Sequence, residues 1–339
     1  MKEIIPGIYY MRLPTAGFPP GHANAYLVRG DNTCTLIDTG WDTPEIHDYI
    51  KQELHGLGIE FKDISRILLT HPHTDHAGLA GVLRKRYGIP IYLHQDGIPA
   101  IKFRFELIDG QYTDTFINKT DILLKTHGVP PEQLSTAEKL LPEMRSPPFP
   151  DVTLTGSELI DTGNYKFEVI STPGHAPGHV AFYEPERQLL IAGDNVLPGL
   201  TTNVGFHLQL NSNPLGDYLH SLQILKRLAV KLVLPGHEEP FAHLHRRIDE
   251  LVRKHEVKNG SVLKTFPDGT PRTAYEVSLA VSWSPSQNRA TWLDFTPWDK
   301  RFTMLENIAH LQALVFSGKL EKSTEDGIIY YQLSWSEVP

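Results

Sequence analysis

The chain has 339 residues, 40% hydrophobic and 21% charged, with a formal net charge of -8. That balance excludes a disordered chain, and the length predicts two domains, or a large one with a small companion. The negative charge excludes a whole-molecule basic field for nucleic acid.

In chain order, Asn24 to Arg29 reads as a strand, Asp31-Asn32 as a turn, and Cys34 to Asp38 as the returning strand. Thr43 caps a helix that begins at Pro44, with Ile46, Tyr49, Ile50 and Leu54 at helical spacing. Arg66 to Leu69 is a short buried strand. Leu79 to Tyr87 is a helix stopped by Gly88, and Ile89 to Leu93 is a strand again. From about 95 to 150 the alternation breaks. Apolar residues recur at helical spacing near Ile101, Phe105 and Leu107 and near Ile122 to Leu124, which predicts a helical insertion interrupted by Pro130-Pro131 and Pro147-Pro148. Strands resume at Lys166 to Ile170, Val180 to Tyr183 and Leu189 to Ile191. They are followed by an amphipathic helix at Leu215 to Leu228, a last strand at Lys231 to Leu234, and a helix at about Phe241 to Lys258. Thr273 to Val281 and Phe302 to Phe316 read as helices, and Lys319 to Lys322 with Gly327 to Leu333 as a hairpin. Helix, helix and hairpin in that order suggest a small winged-helix-like domain. The expected division is 1–255 and 256–339.

Cys34 is the only cysteine, which excludes an internal disulfide and a Cys-only zinc cluster. No run of about 18 apolar residues is present for a membrane span, and Met1 to Tyr10 lack the apolar core of a signal peptide, so a cytoplasmic protein is expected. The distinctive number is 17 histidines, because several of them cluster.

The decisive segment is Thr70-His71-Pro72-His73-Thr74-Asp75-His76-Ala77-Gly78, which places three imidazoles and a carboxylate just after a buried strand. A loop at a strand end can turn such side chains toward one point. Imidazole and carboxylate donors in this mix suit zinc, iron or manganese. Three more segments follow predicted strands: Ser171 to His175, Ala192-Gly193-Asp194 and Pro235-Gly236-His237. Each alone is an ordinary turn. Together they deliver His, Asp and His to one sheet edge, and seven donors suit two metals about 3.5–4 Å apart with a shared carboxylate.

These residues resemble the metallo-β-lactamase-fold hydrolases. That family's HxHxDH motif stands here as His71, His73, Asp75 and His76, and its later His, Asp and His as His175, Asp194 and His237. The resemblance covers roughly residues 5–245. It implies an α/β fold, the αββα sandwich, with metals at one edge between the sheets. His71, His73 and His175 would hold one ion and Asp75, His76 and His237 the other, with Asp194 bridging. Asp38, closing an early strand, matches the residue that orients the metal loop, and Asp75 would also shuttle a proton. With the C-terminal module, the chain is similar to the β-lactamase-like protein 2 family, some members of which cut single-stranded RNA. The helical insertion is a departure from that family.

The resemblance implies a metal-dependent hydrolase with two divalent ions, zinc first and iron or manganese as alternatives, acting through a metal-bridging hydroxide. The insertion is expected to cover the site as a lid, which favours a small ester, thioester or lactone. The alternatives are a phosphodiesterase or endoribonuclease, and a mononuclear iron persulfide dioxygenase. His207, in the stretch that follows Asp194, and Phe105 and Arg104 of the insertion are expected at the substrate. From Thr273 to Pro339 five Lys/Arg face eight Asp/Glu, so the tail is a poor nucleic-acid reader and is expected to serve packing or a homodimer. The other histidines, among them His179, His220, His243, His245 and His255, are expected at the surface or around the ligands, and Trp283, Trp292, Trp298 and Trp335 in the core of the tail or an interface.

Overall fold

Period-two alternation builds the first sheet. In β2 (Ile8–Pro14), Ile8 and Tyr10 face one apolar cluster while Met11 and Leu13 face another. β3 (His22–Arg29) repeats the division, with Tyr26 and Val28 on one side and Ala25 and Leu27 on the other. Both faces of this sheet are therefore covered. The computed structural model describes residues 1–15, 21–31, 33–108, 111–134, 144, 146–207, 213–281 and 292–334. Trp283 and Trp335 lie outside them.

β1 (Lys2–Ile5), β2, β3 and β4 (Cys34–Ile37) are antiparallel neighbours. α1 (Pro44–Gly56) follows, its first turn held by the Thr43 hydroxyl, which accepts from the Ile46 amide. β5 (Ile64–Leu68) and β6 (Ile91–His94) extend the sheet in parallel beyond β4, separated by α2 (Thr74–Ala77) and α3 (Ala80–Tyr87). α4 (Gly97–Arg104) leads into a hairpin of β7 (Phe105–Ile108) and β8 (Gln111–Asp114), and α5 (Phe116–Thr126) comes next. β9 (Val152–Leu154) completes the seven-stranded sheet beside β6.

The second sheet has the order β10 (Leu159–Asp161), β11 (Lys166–Ser171), β12 (Val180–Glu184), β13 (Leu189–Gly193) and β14 (Leu232–Pro235). Ile8, Tyr26, Ile37 and Leu68 of the first sheet share one core with Phe167, Val169, Phe182, Ile191 and Leu234 of the second, which makes a sandwich. The outer face of the first sheet packs Leu27, Leu36 and Ile67 against Ile46, Ile50 and Leu54 of α1 and Leu83 of α3. α6 (Pro214–Leu225) and α7 (Leu244–Leu263) follow β13 and β14, with Leu222, Leu225 and Ile248 fully buried.

The chain divides into two compact units. The first comprises Met1–Asp114, Leu141–Thr202 and His220–Ile248; the second comprises Thr115–Leu140, Asn203–Leu219 and Asp249–Pro339. The second unit holds α5, β15 (Arg272–Thr273), α8 (Ala274–Ala280), α9 (Pro297–Phe316) and the hairpin of β16 (Leu320–Glu325) and β17 (Ile328–Leu333). Its core joins Leu124 of α5 to Val277, Trp292, Met304, Ile308, Leu311 and Tyr331. The expected helix, helix and hairpin are present. α9 begins earlier than its apolar run suggests, at the Thr296 cap, and so gains Lys300 and Arg301. Arg301 is spent on Asp121 and the Leu134 carbonyl, and Lys300 lies over the Trp292 ring and donates to Gln133.

Two expectations about the insertion change. Phe105 and Leu107, read as helical, lie in an extended hairpin where Leu107 faces Tyr112 across the strands. The spacing of four between Ile101 and Phe105 fits helix and strand alike, whereas the spacing of two between Phe105 and Leu107 fits only the strand. α5 packs its Leu124 into the second unit's core, so this part of the insertion is an integral element of that unit.

Phe182 is fully buried between the sheets. Phe182→Ala should lower the unfolding free energy of the first unit by about 3–5 kcal/mol, measured by urea denaturation followed at reporters in each unit.

Candidate metal centre

Strand direction gathers the site. β11 and β12 are antiparallel, as are β12 and β13, and β14 runs parallel to β13. β11, β13 and β14 therefore point the same way, and the residues after them, His175, Asp194 and His237, emerge at one edge. In the other sheet β4 and β5 are parallel, so Asp38 and His71 also leave their strands at one end. Three sets of donors converge there: His71, His73 and His175; His71, His76 and Asp194; and Asp75, His76 and His237, with ligand atoms within 4.8 Å of one another in each set. Asp194 Oδ2 lies 3.5 Å from His175 Nε2 and 3.2 Å from His237 Nε2, and Asp194 Oδ1 lies 3.4 Å from His76 Nε2. Asp75 Oδ2 lies 3.4 Å from His237 Nε2.

The surroundings fix which nitrogen of each ring carries its proton. Asp38, buried and at φ 59°, accepts from the Thr70 amide at 2.8 Å, the Thr70 hydroxyl at 2.7 Å and His76 Nδ1 at 2.9 Å. The Thr70 hydroxyl thus spends its proton on Asp38 and accepts from His71 Nδ1 at 2.9 Å. His237 Nδ1 donates to the His22 carbonyl at 2.7 Å. Each ring keeps its Nε2 for the centre. His71 Nε2 and Asp194 Oδ1 are buried without any hydrogen-bond partner. Buried acceptors left bare in this way are costly unless a cation meets them. The donor set and its orphaned atoms therefore fit a divalent metal.

Close approach decides two glycines. A Cβ at Gly236 would lie 2.0 Å from Asp194 Oδ1, and one at Gly193 would lie 2.6 Å from His179 Nε2. The turn at Pro235 to Glu238 is held from the other sheet. Tyr26 donates to the Pro235 carbonyl at 2.6 Å, the Asn24 amide to Gly236 at 2.7 Å, and the Asn24 side chain to Pro235 and Glu238, both at 2.8 Å.

All seven residues proposed as ligands meet here, with Asp38 behind them. Sequence reasoning passed over His179. Its ring is fully buried; Nε2 accepts from the Asp194 amide at 3.2 Å, and Nδ1 donates to Thr172 at 2.8 Å. The available signal was a histidine entering a wholly apolar strand. Thr70, Asn24 and Tyr26 were also missed as supports. Two residues expected at the substrate, Phe105 and Arg104, make other contacts. Phe105 is buried in the core beneath the first sheet with Ile101 and Leu93, and Arg104 is ion-paired to Asp114 at 2.6 Å. Both hold the hairpin to its helix. His207, half-buried, belongs to the second unit. His255, expected near the surface, is buried in that unit beside His310.

Residues 18–237 match the metallo-beta-lactamase superfamily. The chain belongs to this superfamily. Its similarity to a probable metallo-hydrolase of Bacillus subtilis, YqjP, is 28% identity across 95% of the chain and 96% of the relative. The beta-lactamase-like protein 2 homolog of Caenorhabditis elegans is 22% identical across 90% and 80%. The hydroxyacylglutathione hydrolase GloC of Haemophilus influenzae is 26% identical across 58% and 73%. A crystal structure of a metallo-beta-lactamase family protein from Thermus thermophilus superposes with a TM-score of 0.80 at 30% identity, covering 97% of this chain and all of that one. The likeness to that structure thus extends through both units, beyond the matched residues 18–237. No helix among the described residues is long and apolar enough to cross a membrane.

Charge at the centre follows burial and the carboxylates. Burial, then neighbouring imidazoles, holds His71 and His73 well below the usual range, and burial with His175 takes His179 down to about 3. For His76 and His237 burial also opposes the charge, but Asp194 and Asp75 outweigh it: His76 lies well above the usual range and His237 is pushed up to about 10. Burial raises Asp75 and Asp194, yet the same two imidazoles hold both carboxyls below their ordinary range. The metal-free chain therefore keeps a proton on His237 until the pH approaches about 10. A divalent ion binding at pH 7 must displace it, so apparent affinity rises with pH, about tenfold per unit for each proton expelled. Calorimetry at pH 7 in two buffers of unequal ionisation enthalpy should show at least one proton released; heats that do not depend on buffer would contradict this.

Proposed function

We propose that the chain hydrolyses a small ester, thioester or lactone with a pair of divalent ions, zinc foremost, held by the seven converging side chains. The observation that carries this is the convergence of His175, His76 and His237 Nε2 on Asp194, with the bare Nε2 of His71 and a bare carboxylate oxygen of Asp194 beside them. His71, His73 and His175 would hold one ion, and Asp75, His76 and His237 the other. Asp194 lies within 3.5 Å of ring nitrogens from both sets, and so is the shared ligand. When bound, such a pair polarises a carbonyl and acidifies a water toward a pKa of about 7.

The remaining work falls to the chain. Asp38 and Thr70 keep His76 and His71 in the tautomers that bind. His179 holds the Asp194 backbone, and Thr202 donates to the Asp194 carbonyl at 2.8 Å. Asp75, with 26% of its side chain open, is the carboxylate placed to pass a proton between the centre and bulk water. Among the described residues no serine or cysteine nucleophile is required, since the attacking group is water.

Two observations favour an acyl substrate. One relative bears the name hydroxyacylglutathione hydrolase, a thioesterase activity. Two of the tail's cations among the described residues are engaged within it, since Arg301 is ion-paired to Asp121 and Lys300 lies on Trp292. Zinc-, iron- and manganese-loaded protein should turn over thioester or lactone substrates and bind single-stranded RNA weakly, with a shallow salt dependence. Metal-dependent RNA cleavage with steeply salt-dependent binding would replace this proposal with a nuclease. A single ion per fully loaded chain would favour the mononuclear alternative.

Asp194→Ala should empty both positions, His175→Ala chiefly the first and His237→Ala chiefly the second, read as metal content per chain. Each loss should reduce kcat/KM by at least about a hundredfold, the range typical for removing a group that stabilises developing charge. Equal loss from all three variants would contradict the assignment of ligands to positions.

A further inference from the structure

After Asp194 the chain runs irregularly from Asn195 to Leu200, with neither helix nor strand to satisfy its peptide groups. Two charged side chains do so instead. Glu238 Oε2 accepts from the amides of Gly199 at 2.9 Å and Leu200 at 3.0 Å. Arg247, 7% exposed, donates through Nε to the Leu197 carbonyl at 2.6 Å and through Nη2 to those of Gly199, at 3.2 Å, and Leu200. The segment is thus gripped on its amide side by an anion and on its carbonyl side by a cation, and hydrogen bonds to charged groups are the stronger kind.

Glu238 also follows His237 directly. It sits at φ 64°, a conformation rare outside glycine that persists only where the surroundings impose it. Here Tyr10 and Asn24 donate to its carbonyl at 3.1 and 2.8 Å. One residue therefore joins the loop that leaves Asp194 to the loop that carries His237.

We propose that Glu238 and Arg247 are positioning residues that couple Asp194 to His237, setting the 3.2 Å approach of Asp194 Oδ2 to His237 Nε2. The inference rests on the reading that these two side chains hold metal. It assigns the clamp chiefly to the His237 end of the centre: His71 is ordered by Thr70, and the position held by His71, His73 and His175 should feel the clamp only through the shared Asp194. Supports of this kind typically change metal affinity by about 10–100-fold when removed.

The test is a chelator-competition titration with zinc on the full chain. Glu238→Ala should weaken one of two zinc equivalents by about 10–100-fold and the other, which shares only Asp194 with it, clearly less. Glu238→Gln, which keeps an accepting oxygen, should restore most of the loss. Gly199→Ala attacks the clamp from the loop side, because its Cβ would lie 2.6 Å from Glu238 Oε1. It should reproduce the weakening even if Glu238→Ala fails to fold. Amide exchange at Gly199 and Leu200 should quicken in the variants that lose zinc. In a His237→Ala background, Glu238→Ala should have no further effect on zinc, whereas a general loss of stability would add. A wild-type chain that binds two zinc ions, with Glu238→Ala or Gly199→Ala weakening both equally or neither, overturns the coupling alone. A wild-type chain that binds one overturns the coupling and the two-metal reading together.

Discussion

The centre depends on one buried carboxylate. Asp38 ends β4 in a left-handed conformation that Asp tolerates better than most residues, and its two oxygens collect three donors from the neighbouring loop. Those bonds fix where β5 stops, how Thr70 turns its hydroxyl, and which nitrogens of His71 and His76 face inward. Asn at this position would keep the shape but offer one accepting oxygen where two are used. The carboxylate is thus a device for converting backbone position into ring orientation. The metal loop needs it because four donor side chains in six residues have no regular structure of their own to aim them.

The second sheet solves the same problem differently. His175, Asp194 and His237 are brought together by strand direction and then locked, within the sheet by the Gly236 amide to Gly193 at 2.7 Å, and across the sandwich by the Val180 amide to the Thr70 carbonyl at 2.8 Å and by Asn24 and Tyr26 to the Pro235 turn. Rigid supports on both sides leave little freedom at the ligands, which is the condition for electrostatic preorganisation.

The seven donors were legible in the sequence because they stand in polar turns that follow apolar runs, where ordinary packing gives no reason for a histidine or aspartate; Asp38 was reached only through the family resemblance. His179, Asn24, Tyr26 and Glu238 were not. Asn24, Tyr26 and Glu238 act through partners tens to hundreds of residues away, and nothing in their own neighbourhood marks them; His179 acts on Thr172 and Asp194, 7 and 15 residues away, and its one signal was a histidine entering an apolar strand. The main strands were legible for the same reason as the core: both faces are buried, so β12 and β13 read as unbroken apolar runs. The short strands β7 to β10 were not, since three or four residues fit several periods. Phe105 shows the limit most plainly. An aromatic residue in an insertion predicts burial, but the face it buries against is set by the fold, and here that is the core under the first sheet.

The two sheets meet the centre from opposite sides, and its donors come from both. An ion held there spans the sandwich as a cross-link does, although it closes no covalent loop. Any motion that parts the sheets at this edge must also pull the donors apart. With an ion held there, the sandwich could not breathe at this edge without releasing it. Metal supply would then set a mechanical property of the fold as well as its chemistry: in a metal-poor setting the same chain would be a looser object, open to proteolysis first at the loops that would otherwise be its working parts.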